Sequence, residues 1–229
     1  MTFAFLILAA VFVPVAPRAQ WKTPWSYAGK DGPSHWANLD PAYAACDGKE
    51  QSPIDIRNAV KADLPALRFE FKDGPLNIVN NGYTAVRVDY APGNGNFLTF
   101  VTPEAERYDL TQFHFHHPSE EQINGKAYDM VIHFMLKASD GKVAGVAVLV
   151  KVGEANATVA KLWKYMPKTA GKDHVIPGVE INPAGLLPRN TGVLHVRGIG
   201  DGSAVHGGSH VVCVENSSDR LAAADRSIR

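Results

Sequence analysis

The chain has 229 residues, 45% of them hydrophobic, which is enough for one domain with a sizeable core. Its 23 Lys and Arg balance 23 Asp and Glu, and no basic run stands out, so its charge offers nothing to nucleic acid. The 20 Gly and 15 Pro, set between short apolar runs, suit a turn-rich β protein.

Met1 to Ala19 carries an apolar stretch from Phe3 to Val13, then small residues and Pro. It predicts a secretory signal peptide and a periplasmic or secreted product. The usual positive N-terminal region is missing, and Pro17 sits awkwardly for cleavage after Ala19. A buried core helix is the ordinary alternative. The run is too short for a comfortable membrane span.

Trp21 to Asp47 is aromatic and irregular and reads as loop wrapped over a core. Extended runs follow: Leu67 to Phe71, Leu76 to Asn80, Thr84 to Tyr90, Phe97 to Val101, Tyr108 to His116, Ala127 to Lys137 and Val143 to Val152. Turn signals separate them at Asp73-Gly74-Pro75, Pro92-Gly93-Asn94-Gly95, Asn124-Gly125 and Asp140-Gly141. One helix is predicted from Asn156 to Tyr165, with Val159, Leu162 and Trp163 on one face.

The chemistry-bearing residues are His114 and His116 in QFHFHHPSEE, and His133 in DMVIHFML. In a strand, residues i and i+2 share a face. His114 and His116 therefore project together, while Phe113, Phe115 and His117 face the other way. A turn at Asn124-Gly125-Lys126 returns the chain, so His133 can reach the same point. Three neutral imidazoles with a fourth position open make a catalytic zinc site. Isolated histidines are more often surface residues or satisfied core residues. Gln112, one alternation back, supplies the acceptor that a ligand imidazole needs.

Several further motifs stand in order: Trp25-Ser26-Tyr27 with Gly29, Gly32-Pro33 with Trp36, Gln51-Ser52-Pro53-Ile54-Asp55-Ile56, Asn80-Asn81-Gly82, Gln112-Phe113-His114-Phe115-His116 and Pro118-Ser119-Glu120. With these, the chain resembles an α-class carbonic anhydrase of the exported bacterial type, from Trp25 to about Pro188. The resemblance implies a mainly β fold with few short helices. Its central, mostly antiparallel twisted sheet would have about ten strands, and zinc would lie in a conical cleft. It implies zinc-dependent, reversible hydration of carbon dioxide to bicarbonate and a proton, through hydroxide on the metal. His114, His116 and His133 would hold Zn2+, with Gln112 behind His114. Glu120 would orient a threonine hydroxyl, Tyr27 would join the water network, and Asn81 would line the cleft.

The chain departs from the family pattern at three places in this region. Tyr83 stands where fast members carry a proton-shuttling histidine. A phenol titrates near about 10 against about 6.5 for imidazole, so proton export should be slow and buffer-dependent. Val131 replaces a Glu that many relatives place two residues before the third ligand, so His133 needs another acceptor, such as a carbonyl or water. Glu121 replaces a histidine, and no strong consequence is assigned to it.

The last part of the chain departs more widely. Family members continue with a threonine-containing Pro-Pro-Cys loop and a strand with Trp, whereas this chain reads HVRGIGDGSAVHGGSHVVCVEN from His195. Legal codons for His195 to Glu215, read one base later, spell TYEGSATVPPCTEGVTWFVL, the missing segment. A one-base frameshift between about Asn190 and His195 follows, with a signal peptide at 1–19, a C-terminally incomplete domain at 20–194 and an out-of-frame tail at 195–229. Cys213 is then not the family's partner for Cys46, Glu120 loses its threonine, and a strand near the metal strands is expected to be missing. The enzyme reading stands beside a non-catalytic zinc-binding protein of the same fold and a metal-free structural protein. The expected partner is the small-molecule substrate, with no nucleic acid or membrane partner, and the chain is expected to be a monomer or homodimer.

Overall fold

The computed structural model describes residues 23–26, 29–47, 55–58, 65–80, 86–171, 174–188, 192–198 and 209–215, the last two segments as backbone. The described strands are β1 (Asp55–Ile56), β2 (Leu67–Glu70), β3 (Gly74–Val79), β4 (Arg87–Asp89), β5 (Phe97–Phe100), β6 (Arg107–His116), β7 (Gln122–Ile123), β8 (Lys126–Ala127), β9 (Met130–Ala138), β10 (Val143–Val150), β11 (His174–Ile181), β12 (Gly192–Gly198) and β13 (Ser209–Glu215). The helices are α1 (Trp36–Leu39) and α2 (Ala157–Tyr165). Short 3-10 turns flank α1, so the described residues 29–47 hold more helical structure than the loop expected there.

Ten strands form one sheet in the order β11-β3-β4-β6-β9-β10-β13-β12, with β5 also on β6 and β2 on β5. Every pairing in it is antiparallel except β10 with β13. A separate three-stranded sheet, β1-β7-β8, lies apart from it. The mainly β, mostly antiparallel expectation is met.

One face of the large sheet is apolar. Phe113 and Phe115 of β6 and Ile132, Phe134 and Leu136 of β9 are buried there. Helix α2 covers this face with Val159 and Leu162, and its Trp163 meets Phe115 edge-on at 5.1 Å. Asn156 caps the helix as its sequence position suggests: its Oδ1 accepts from the backbone N–H of Thr158 and Val159 at 2.9 and 3.0 Å.

A bulge in β6 sets which residues face the other way. The register with β9 slips between Leu110 and Gln112, where Leu110 opposes Leu136 and Gln112 opposes Met135. Before the slip, Tyr108 and Leu110 fill the core; after it, Phe113 and Phe115 do. One extra residue, Thr111, therefore turns Gln112, His114 and His116 away from the core.

Some expectations need correcting. The run Ala127 to Lys137 is two strands, because Asp129 is engaged elsewhere: its carboxylate accepts from the Val152 N–H and its carbonyl meets His117 Nδ1. Gly74 and Pro75 belong to β3 rather than to a turn. β11 has no clear sequence signature, because it is a largely exposed edge strand with a register shift between Val175 and Glu180, so its residues do not alternate cleanly.

The strand expected to be missing beside the metal strands is also present in the fold. β13 pairs in parallel with β10, and β12 pairs antiparallel with β13. The reason is compositional. Ser209 to Glu215 reads SHVVCVE, whose β-branched valines suit an extended strand.

Candidate metal centre

β6 and β9 pair so that His114 lies directly opposite His133, and His116 opposite Val131. Directly opposed residues on one face bring their Cβ atoms to roughly 5 Å. The three rings therefore meet: their centroids are 4.8 Å apart for His114 and His116, 5.2 Å for His114 and His133, and 4.9 Å for His116 and His133. One ligand nitrogen from each lies within 4.8 Å of the others. All three residues are buried.

Burial decides the protonation of His114 and His116. Removal from water, reinforced by its histidine neighbours and by Arg87 across the strand, holds His114 well below the usual imidazole value. Burial and His133 push His116 down to about 3. Both are neutral at pH 7, the form that binds a metal.

The rings are also oriented. Gln112 Oε1 lies 2.8 Å from His114 Nδ1, as its place in the strand predicts, which leaves Nε2 for a metal. Glu120 Oε2 lies 3.3 Å from His116 Nε2 and 3.7 Å from His133 Nδ1, so this carboxylate does reach the site. The acceptor for His133 is neither a carbonyl nor water but the carboxylate of Glu121, whose Oε1 lies 2.8 Å from His133 Nε2. Glu121 is the residue that strand alternation missed, because it sits in a loop beyond β6. The clue available in the sequence was the apolar residue at Val131, which leaves His133 to find its acceptor elsewhere. Tyr27, Asn81 and Tyr83 lie outside the described residues, as do Met1 to Ala19.

Three buried imidazoles, two held neutral and two hydrogen-bonded through the nitrogen away from the cluster, form a donor set that fits zinc. A twisted, mostly antiparallel sheet that brings such a set together from two adjacent strands defines a zinc protein of the three-histidine type. The chain belongs to the eukaryotic-type carbonic anhydrase family, whose pattern it matches over residues 31–195. It is 38% identical over 170 residues to a carbonic anhydrase of Neisseria gonorrhoeae, covering 74% of this chain and 65% of the relative. It is 40% identical over 144 residues to one from Pectobacterium carotovorum, covering 62% and 57%. The chain thus spans 65% and 57% of the length of these two relatives. Its fold is similar to that of the Thermovibrio ammonificans α-carbonic anhydrase solved with sulfanilamide, with a TM-score of 0.77 and 32% identity over 87% of this chain and 85% of that one.

The burial of the imidazoles predicts an acid response. His114 and His116 stay neutral in the folded chain, but in the unfolded chain they take up protons below about 6.5. The unfolded state then binds more protons, so the zinc-free chain should lose stability as pH falls from 6.5 towards 3. Thermal melts across that range should show the decline, and His116→Gln should make it shallower. An unaltered slope in His116→Gln would assign the decline to other groups.

Proposed function

We propose that this chain is, by descent, a zinc-dependent enzyme that hydrates carbon dioxide reversibly to bicarbonate and a proton. The observation that carries this reading is the buried cluster of His114, His116 and His133 in a carbonic anhydrase sheet. Bound zinc would lower the pKa of a coordinated water to roughly 7, an effect for which carbonic anhydrase is itself the reference case.

The chain's own residues do the rest. Imidazole ligands carry no negative charge when they bind a metal, so three of them would leave its positive charge undiminished. Gln112 fixes the ring of His114. Glu120 sits beside the cluster, where in the family pattern it orients a threonine hydroxyl. Tyr27 would serve the water network and Asn81 the polar wall. Tyr83 is too weak an acid to relay protons at neutral pH, so buffer must carry them.

A second reading, a non-catalytic zinc-binding protein of the same fold, is favoured for this translated chain by one observation. The sequence after His195 has no threonine-Pro-Pro-Cys loop. The match to the family pattern also stops at residue 195, in keeping with a one-base slip between about residues 190 and 195. Resequencing that stretch of the gene decides whether the slip is there.

Stopped-flow carbon dioxide hydration on this chain and on its frame-restored counterpart separates the two readings. Sulfonamide-sensitive activity should appear in the restored chain, rise with imidazole-type buffer, and be weak or absent in the present chain. Full activity in the present chain would refute the impairment, and inactivity in both would refute the enzyme reading. We also propose export through Met1 to Ala19. The mature product should be recovered outside the cytoplasm with Gln20 at its N-terminus, and intact cytoplasmic protein would contradict this.

A further inference from the structure

We infer that Glu121 is the positioning residue for His133, doing from a loop what a carboxylate at position 131 does in relatives, and that it thereby sets the chain's affinity for zinc. This rests on the zinc reading of the three histidines.

Residue 131 cannot do the job here. Val131 is completely buried on the site face, packed with Ile56, Ala147 and Leu149. It offers no acceptor, and its neighbours form an apolar cluster. The Nε2 of His133 nonetheless lies in the interior, where a ring nitrogen left without a partner is destabilising. The Glu121 carboxylate meets it at 2.8 Å and is itself 2% exposed. A buried carboxylate facing a single ring nitrogen fixes both the tautomer and the tilt of that ring. It holds the proton on Nε2 and leaves Nδ1 for the metal. His114 has the opposite arrangement, with Nδ1 on Gln112 and Nε2 open.

The loop that carries Glu121 is built to stay in place. The Ser119 hydroxyl donates to the Glu121 carbonyl at 2.6 Å and accepts from the Tyr128 N–H at 2.8 Å. The Ser119 N–H donates to the Tyr128 carbonyl at 3.0 Å. Immediately after Glu121, β7 pairs in parallel with β1, with Gln122 opposite Asp55. Asp55 then accepts from the Gly125 N–H at 2.8 Å, and the Asn124 N–H donates to the Ile56 carbonyl at 3.1 Å. The small sheet β1-β7-β8 thus serves as a bracket for one carboxylate.

The test is zinc affinity, measured by chelator competition on the full chain, with Glu121→Ala and Glu121→Gln beside it. Glu121→Ala should bind zinc roughly 10–100-fold more weakly, the usual cost of losing such a partner. Glu121→Gln keeps an acceptor oxygen and should lose less. Cobalt-loaded protein should show an altered visible spectrum in Glu121→Ala, because the ring of His133 is no longer held. Unchanged zinc affinity in Glu121→Ala would overturn the inference. So would equal affinity losses in both variants that track lost zinc-free melting temperature, since that marks a purely structural residue. If Glu121→Ala does not fold, Glu121→Gln decides: weakened zinc binding supports positioning, and wild-type affinity overturns it. Failure of the unsubstituted chain to bind zinc would instead refute the zinc reading itself, and this inference with it.

Discussion

The antiparallel register between β6 and β9 is the constraint on which everything else rests. It sets His114 opposite His133 and Phe113 opposite Phe134. The same pairing therefore builds the metal cluster on one face and the aromatic core on the other. Because side chains alternate with period two, a one-residue slip would exchange the faces and bury imidazoles among phenylalanines. The bulge at Thr111 absorbs such a slip inside β6. It lets Tyr108 and Leu110 pack in the core at one end of the strand while His116 faces the site at the other.

Placing three imidazoles in the interior has a cost that the surroundings offset. Buried rings resist protonation, which prepares them for a cation, yet their far nitrogens still need hydrogen-bond partners. Gln112 answers this from the metal strand itself and Glu121 from the loop beyond it. One acceptor comes from strand periodicity and the other from tertiary folding. For that reason the small sheet β1-β7-β8, which looks peripheral, has a direct bearing on the metal.

Much of this was legible in the sequence, and the exceptions have physical causes. Period-two alternation gave His114, His116 and Gln112, and the return turn gave His133. The helix with Val159, Leu162 and Trp163 on one face was readable from spacing and from its Asn156 cap. β11 was not readable, because a mostly exposed edge strand leaves no apolar pattern. The role of Glu121 was not readable either, because a loop carboxylate reaches its partner through tertiary packing rather than periodicity. β12 and β13 show a different effect. Their valine-rich runs have the β-branched residues that a strand favours, so the pairing of β13 with β10 and of β12 with β13 reflects local propensity and says nothing about the chemistry of the site.

The zinc site requires His114, His116 and His133 together to hold one zinc ion. Elemental analysis of the purified chain and of His133→Ala, each dialysed against metal-free buffer, tests it most directly. One zinc per chain in the first and a near-complete loss in the second is the predicted result. No zinc in the parent chain, or zinc retained in full by His133→Ala, would contradict it.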